Sequence, residues 1–391
     1  MSEIVFYGAT WCPYCQSLKK FLDDHSQTYN YKDVDEGKAI VDEMLNLTDQ
    51  NYLIPTVVVD GKVYQNPSHK EMADLLNLKF KPQKKADVLI IGGGPSGLSS
   101  AIYTSREDLD TLIIEKGAVG GLAAITDQID NYPGFEDGVT GIDFADKLEK
   151  QAERFGSKIE YGEVVDIQKD GDKLMVSTTE GDIEAGAVLV STGSSYKKLG
   201  VPGEEEYLSR GVHYCATCDG AFYRDKTLAV IGGGNSAVQE ALFLTRFTTH
   251  IDLLVRSETR ASEVLIKELN KAVEEGKITV HKGVEINEIV GDGTKLSHVD
   301  GKIGSKNVKF NVDGVFIFIG LDPNTKFLKY TDVRLDEWEF VKTDLSLMTN
   351  IPGVFASGDV RSGATMQIAS AAGEGATAAL NIRKYLESLK K

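Results

Sequence analysis

Over the first 78 residues short apolar runs alternate with amphipathic stretches, the pattern of a compact α/β unit. Ile4-Val5-Phe6-Tyr7 predicts a strand, Pro13 to Asp24 a helix, Tyr29 to Val34 a second strand and Lys38 to Leu47 a second helix. Thr56 to Val59 and Lys62 to Tyr64 predict a hairpin around Asp60-Gly61, and Ser68 caps a last helix to Leu78. Residues 79–85, Lys79-Phe80-Lys81-Pro82-Gln83-Lys84-Lys85, read as a polar linker, which at seven residues spans at most ~25 Å. Ala86 to Ile91 then predicts a buried strand, followed by a glycine loop and a helix to about Arg106. The same unit returns 140 residues later, Val88 to Gly97 being echoed by Leu228 to Ala237. Two or three domains follow from this organisation and from a length of 391 residues.

Composition narrows the chemistry. No apolar run approaches the ~18 residues of a membrane span. The opening Met-Ser-Glu has neither the basic head nor the apolar centre of a secretory signal, so a cytoplasmic protein is expected. A net charge of -16 argues against nucleic acid as a partner. All four cysteines fall into two Cys-x-x-Cys pairs, Cys12/Cys15 and Cys215/Cys218. In a reducing compartment this spacing points to catalytic dithiols rather than structural bridges. A zinc ribbon also uses two such pairs, but 199 residues lie between Cys15 and Cys215, against ~15–20 in that motif; no metal is expected.

Each pair has informative neighbours. Cys12 begins a predicted helix, where the dipole and free N–H groups stabilise a thiolate, and Pro13 suits the first helical turn. Ile54-Pro55-Thr56 precedes a strand, a place where a cis-proline shapes a groove beside the sulfurs. Cys215-Ala216-Thr217-Cys218-Asp219 sets a carboxylate beside the second pair, either to protonate a leaving thiolate or simply to cap a helix.

The glycine loops have the strand–turn–helix setting that gives them meaning. In Gly92-Gly93-Gly94-Pro95-Ser96-Gly97 the glycines let the backbone approach a pyrophosphate resting on a helix N-terminus. Glu115, ending the next strand, is placed to hold ribose hydroxyls. The second loop, Gly232-Gly233-Gly234-Asn235-Ser236-Ala237, is followed by a strand His250 to Val255 ending at Arg256, with Arg260 close behind. Arginine there fits a 2′-phosphate, which favours NADPH over NADH. Two dinucleotide sites in one chain suggest one flavin and one nicotinamide.

Cys12-Pro13-Tyr14-Cys15 and Ile54-Pro55-Thr56 resemble the glutaredoxin branch of the thioredoxin fold, over about the first 78 residues. By that resemblance Cys12 attacks and Cys15 resolves. From Ala86 onward the chain resembles the low-molecular-weight thioredoxin reductases of bacteria and plants. The matching stretches are Asn131-Tyr132-Pro133-Gly134-Phe135, Ser191-Thr192-Gly193, the Cys215–Asp219 motif, the second glycine loop, Phe318-Ile319-Gly320 and Ala356-Ser357-Gly358-Asp359-Val360. The resemblance implies an α/β fold of three parts, a glutaredoxin-like domain at 1–78 and two Rossmann-like domains. FAD would be held by 86–197 with 322–391, and NADPH by 198–321. For FAD it implies Gly92, Gly94, Pro95, Ser96, Gly97, Glu115, Gly121, Asn131, Thr192, Gly193, Gly358, Asp359, Gln367 and Ile368. For NADPH it implies Gly232, Gly234, Asn235, Ser236, Ala237, Arg256 and Arg260.

The chain departs from the family at Leu122, Leu254, Val255 and Met366, where glutamine, histidine, arginine and arginine are usual. The implied route runs from NADPH to FAD to Cys218/Cys215, with Asp219 supplying a proton, and then through a Cys12–Cys215 mixed disulfide to Cys12/Cys15. Redoxins or other protein disulfides would be the final substrates of a homodimer. The competing expectations are a flavoprotein of the alkyl hydroperoxide reductase type, serving a peroxiredoxin, and an FAD-binding redox sensor.

Overall fold

The computed structural model describes residues 2–79, 82–126 and 128–390. They divide into two compact units, one of 1–125, 141–193 and 323–391, the other of 126–140 and 194–322.

The first unit opens with a small sheet. β1 (Ile4–Gly8) is followed by α1 (Pro13–Asp24), β2 (Asn30–Asp33), α2 (Lys38–Leu47), β3 (Thr56–Val59), β4 (Lys62–Gln65) and α3 (His69–Leu75). Strand order is β2-β1-β3-β4, with β1 parallel to β2 and antiparallel to β3. Phe6, Tyr7, Leu18, Phe21, Leu22, Met44 and Met72 fill its core. The Ile54–Pro55 bond is cis. The Ser68 cap is a full capping box with Glu71, but the helix stops at Leu75 rather than Leu78; Asn77 has turned to φ +50, outside the helical range.

The second sheet is built on β5 (Lys84–Ile91), followed along the chain by α4 (Pro95–Arg106), β6 (Thr111–Glu115), α5 (Gly121–Ala124), α6 (Gly141–Arg154), β7 (Lys158–Tyr161), β8 (Val164–Asp170), β9 (Lys173–Thr178) and β10 (Gly181–Val190). The order is β7-β6-β5-β10-β9-β8, and the late strand Val354–Ala356 joins β10 in parallel. Val88 and Ile90 pack into one core, Leu89 and Ile91 into another, so both faces of β5 are covered. That is why this stretch reads as a nearly unbroken apolar run.

Part of the expected linker belongs to this sheet. Lys84 and Lys85 pair with Ile183 and Glu184, and the Lys85 ammonium meets Glu184 at 3.2 Å. Phe80 and Lys81 lie outside the described residues. α4 and the final helix, Ile368–Ser388, cross closely: a Cβ on Gly375 would stand 2.1 Å from the Ser96 carbonyl oxygen.

The second unit holds a five-stranded parallel sheet ordered Val212–His213, Gly314–Ile317, Thr227–Ile231, His250–Val255, Ile278–Lys282. A three-stranded antiparallel sheet spans Val284–Gly291, Leu296–Ile303 and Lys306–Asn311. Residues 126–140, inside the stretch expected to carry the flavin, group with this unit instead. Within them Ile129 pairs with Val139 in an antiparallel bridge. Among the described residues no helix is long and apolar enough to cross a membrane.

Candidate functional site

Both glycine loops form as the alternation of strand and helix requires. Gly92 (φ +102) leaves β5 so close to the neighbouring chain that a Cβ would meet the Ser191 carbonyl oxygen at 2.6 Å, and one on Gly97 would meet the Gly92 oxygen at 2.1 Å. Gly94 differs: a Cβ there would touch nothing within 4 Å, so its bareness keeps open space in front of the helix. Gly94 is also the N-cap of α4 and supplies no side-chain cap, so the first-turn N–H groups remain available to an anion. Glu115 holds the loop from below, accepting from the Gly93 N–H at 2.6 Å and the Gly117 N–H at 2.7 Å.

Other sequence-predicted positions converge on this loop. A Cβ on Gly358 would lie 3.0 Å from the Ser96 Cβ, one on Gly121 3.7 Å from the Gly94 Cα, and Ser96 shares a 2.6 Å hydrogen bond with Ser357. Thr192 donates to the Asn324 carbonyl at 2.9 Å and Gly193 accepts from the Asn324 N–H at 3.0 Å, pinning the chain where it returns. Gln367 caps the final helix, with Ile368 as its first residue. Asn131 falls in the second unit.

Asp359 is pushed up to about 6, first by burial and then by the Glu374 carboxylate. Glu374 was not foreseen. It accepts from the Gly358 N–H at 2.9 Å and pairs with Arg361 at 2.5 Å, fixing the loop that carries Asp359. Its partners are 13 and 16 residues away, and no local spacing announces them.

In the second unit a Cβ on Gly232 would lie 2.3 Å from the Phe318 carbonyl oxygen, whereas one on Gly234 would again meet nothing. Gly234 leaves the helix Asn235–Leu244 without a side-chain cap. The segment after Val255 folds back onto the loop: the Arg260 N–H donates to the Gly233 carbonyl at 2.6 Å and the Ser262 N–H to the Asn235 side chain at 2.8 Å. Ser236, Arg256 and Arg260 are exposed and Ala237 is buried.

The two cysteine pairs share one local geometry. Cys12 is the N-cap of α1, its Sγ accepting from the Cys15 N–H at 3.3 Å. Cys215 is the N-cap of the short helix Ala216–Asp219, its Sγ accepting from the Cys218 N–H at 3.2 Å. Cys215 and Cys218 are disulfide-bonded; Cys12 and Cys15 are separate buried thiols. The Cys15 thiol's hydrogen bond brings Cys12 down to about 7, aided by the backbone N–H groups of Cys15 and Tyr14 and opposed by burial. The same bond, then burial, pushes Cys15 upward. Cys12 is therefore the more readily ionised of the two sulfurs.

Asp219 makes no side-chain cap for the helical turn after it. It faces His213, with Nδ1 and Oδ2 3.3 Å apart, and His213 Nε2 is 2.7 Å from the Tyr223 hydroxyl. His213 stands two residues before Cys215, yet only the folded chain shows that it turns to Asp219.

Comparison with known proteins accords with this geometry. The family model described as pyridine nucleotide-disulphide oxidoreductase matches residues 86–375, and the glutaredoxin model matches 4–64. The chain is 40% identical over 312 residues to the thioredoxin reductase of Listeria monocytogenes, covering 79% of this chain and 96% of that protein. The thioredoxin reductase of Bacillus subtilis is 37% identical over 310 residues, covering 79% and 97%. The crystal structure of thioredoxin reductase from Streptococcus pyogenes superposes with a TM-score of 0.74 at 40% identity, over 78% of this chain and 99% of that one. The peroxiredoxin-serving and sensor alternatives are not favoured by these relatives. The chain thus belongs to the pyridine nucleotide-disulphide oxidoreductases, as a bacterial-type thioredoxin reductase fused to an N-terminal glutaredoxin-like domain, and is a disulfide reductase that uses a flavin and a pyridine nucleotide.

Proposed function

We propose that the chain reduces thioredoxin-like or other protein disulfides with NADPH, holding FAD in the first unit and passing electrons through Cys215/Cys218 to its own Cys12/Cys15. The observation that carries this reading is the recurrence of one thiol geometry, a cysteine N-cap accepting from the N–H three residues on, in a chain with two dinucleotide cradles. The cradles fit their groups. Gly94 and Gly234 keep open space before uncapped helices, as two pyrophosphates require. FAD, when bound, accepts a hydride and releases its electrons to a disulfide.

The remaining work belongs to side chains. Glu115, which holds the first loop, would take the ribose hydroxyls, and Asp359, on the loop fixed through Glu374, would bond the ribityl or pyrophosphate region. Arg256 and Arg260 select the 2′-phosphate. Asp219, oriented by His213, gives a proton to the sulfur leaving Cys215–Cys218, and His213 with Tyr223 keeps that carboxyl aimed. Cys218 would lie on the flavin side; Cys215 would attack the Cys12–Cys15 disulfide at Cys12, releasing the Cys15 thiolate, and Cys218 would then close on Cys215 to release Cys12. Between thioredoxin-like and glutaredoxin-like pairs the step runs downhill by ~40–70 mV, or ~2–3 kcal/mol. A cytoplasmic homodimer completes the proposal.

Anaerobic NADPH titration of the FAD-loaded protein tests the route. The wild type should take up one more two-electron equivalent per FAD than Cys12→Ser/Cys15→Ser. Equal uptake would remove the glutaredoxin-like pair from the electron path.

A further inference from the structure

The glutaredoxin-like domain does not hang free from residues 79–85. α1 lies against β8 and β10 of the flavin-binding domain, and α3 reaches the same β8–β9–β10 arm through His69 and Lys70, within the same compact unit. Ser17, on α1, is fully buried and donates its hydroxyl to the Thr178 carbonyl of β9 at 2.8 Å. His69, first residue of α3 and 4% exposed, places Nε2 3.1 Å from Ser17 Oγ and Nδ1 2.7 Å from Asp182 Oδ1 on β10. Asp182 is 5% exposed and also accepts from the Ser177 hydroxyl at 2.6 Å. Lys70 pairs with Asp170 at 2.9 Å along the open edge. Beside the thiols, the Tyr14 hydroxyl donates to the Lys326 carbonyl at 3.2 Å, and its ring stands edge-on to Tyr330.

Ser17, His69 and Asp182 have the order of a nucleophile, a base and an orienting carboxylate, but they cannot serve as one. Ser17 exposes no surface, and its single hydrogen is committed to a backbone carbonyl. What remains is a clasp, a buried polar network whose members come from two domains and satisfy one another. Its groups return to water when the domains part, so it fixes the docking register while holding with modest net strength.

The clasp and the reactive sulfur share a helix. Cys12 caps α1 five residues before Ser17 and is only 4% exposed, and the Glu163 carboxylate of the flavin-binding domain acts on it. Thiol–disulfide exchange needs open access for one sulfur to attack another. A cysteine so covered does not offer it.

We propose that the β8–β10 arm is a docking surface for the chain's own glutaredoxin-like domain, clasped by Ser17, His69 and Asp182 with Cys12 covered, and that the domain leaves this surface to exchange disulfides. The docking stands apart from the electron route; its effect on turnover rests on the route proposed above.

The test is iodoacetamide labelling of the reduced, FAD-loaded full-length protein, resolved peptide by peptide by mass spectrometry. Asp182→Ala alters only the flavin-binding side of the clasp, and retained flavin absorbance reports that this side still folds. Cys12 labelling should rise on the order of tenfold, as loss of a charge-assisted hydrogen bond implies. Cys15, buried within its own domain, should stay protected. His69→Ala/Asp182→Ala should gain little over either single change, because the two act through one contact. Unchanged Cys12 labelling in Asp182→Ala would overturn the proposal. So would Cys15 labelling rising in step, which would mean that Asp182 supports the small domain's fold rather than its docking. If labelling shifts as expected while Cys12→Ser leaves turnover with protein disulfides intact, the docking surface stands and the electron route falls.

Discussion

At the level of single residues, electrostatics separates groups that look equivalent in the sequence. Cys12 and Cys15 differ because one sulfur receives hydrogen bonds and the other gives one away. The pH dependence of Cys12 alkylation should therefore have its midpoint near 7, against about 8.5 for an ordinary thiol; a rate profile from pH 5 to 10 checks this. Asp359 is held at about 6, above the ordinary 3.8, so the fold favours its protonated form. The sign follows from linkage: flavin-free protein gains stability as pH falls through 6, and at pH 7 the ionised carboxylate is a burden. Asp359→Asn should stabilise flavin-free protein at pH 7 by about 1–2 kcal/mol in chemical denaturation, while weakening FAD binding. Asp219→Asn should slow disulfide opening by roughly 10²- to 10⁴-fold, the usual worth of a positioned proton donor, with hydride uptake from NADPH unchanged in stopped flow.

At the level of elements, the two glycines that bracket α4's first turn make opposite predictions. Gly97→Ala drives a Cβ to within 2.1 Å of the Gly92 carbonyl oxygen, so strand and helix must separate and the first unit should lose stability. Gly94→Ala meets nothing within 4 Å and sits at an ordinary φ of -75, so thermal stability without flavin should be unchanged. Its new methyl instead fills the space before the helix, and FAD affinity, read by fluorescence titration, should fall by tenfold or more, ~1.4 kcal/mol. Gly234→Ala should do the same for the nicotinamide site alone. Close packing and close approach to a ligand both demand glycine, and the surrounding atoms tell which demand applies.

At the level of the molecule, each unit has its own buried core: Leu89, Ile91, Val188 and Val190 in one, Leu228, Val230, Leu253 and Phe316 in the other. Cores confined to one unit or the other predict more than one calorimetric transition. FAD should raise the transition of the first unit and adenosine 2′,5′-bisphosphate that of the second, since each ligand binds one folded unit. A single transition shifted equally by both would show the units to be one cooperative body.

The sequence by itself determined the parts whose causes lie within a few residues. These are the Cys12 cap, the two glycine loops with Glu115 ending one following strand and Arg256 just past the end of the other, and the hairpin at Asp60-Gly61. Such elements answer to turn chemistry, helix starts and the apolar period, all local. Only the tertiary structure decided which distant groups meet: Glu374 under Gly358, His213 beside Asp219, and Ser17, His69 and Asp182 joined across 165 residues of chain. It also moved Lys84 and Lys85 from linker to strand and gave residues 126–140 to the second unit. Those outcomes depend on burial and hydrogen-bond satisfaction among segments far apart in sequence, and one-dimensional spacing carries no record of them.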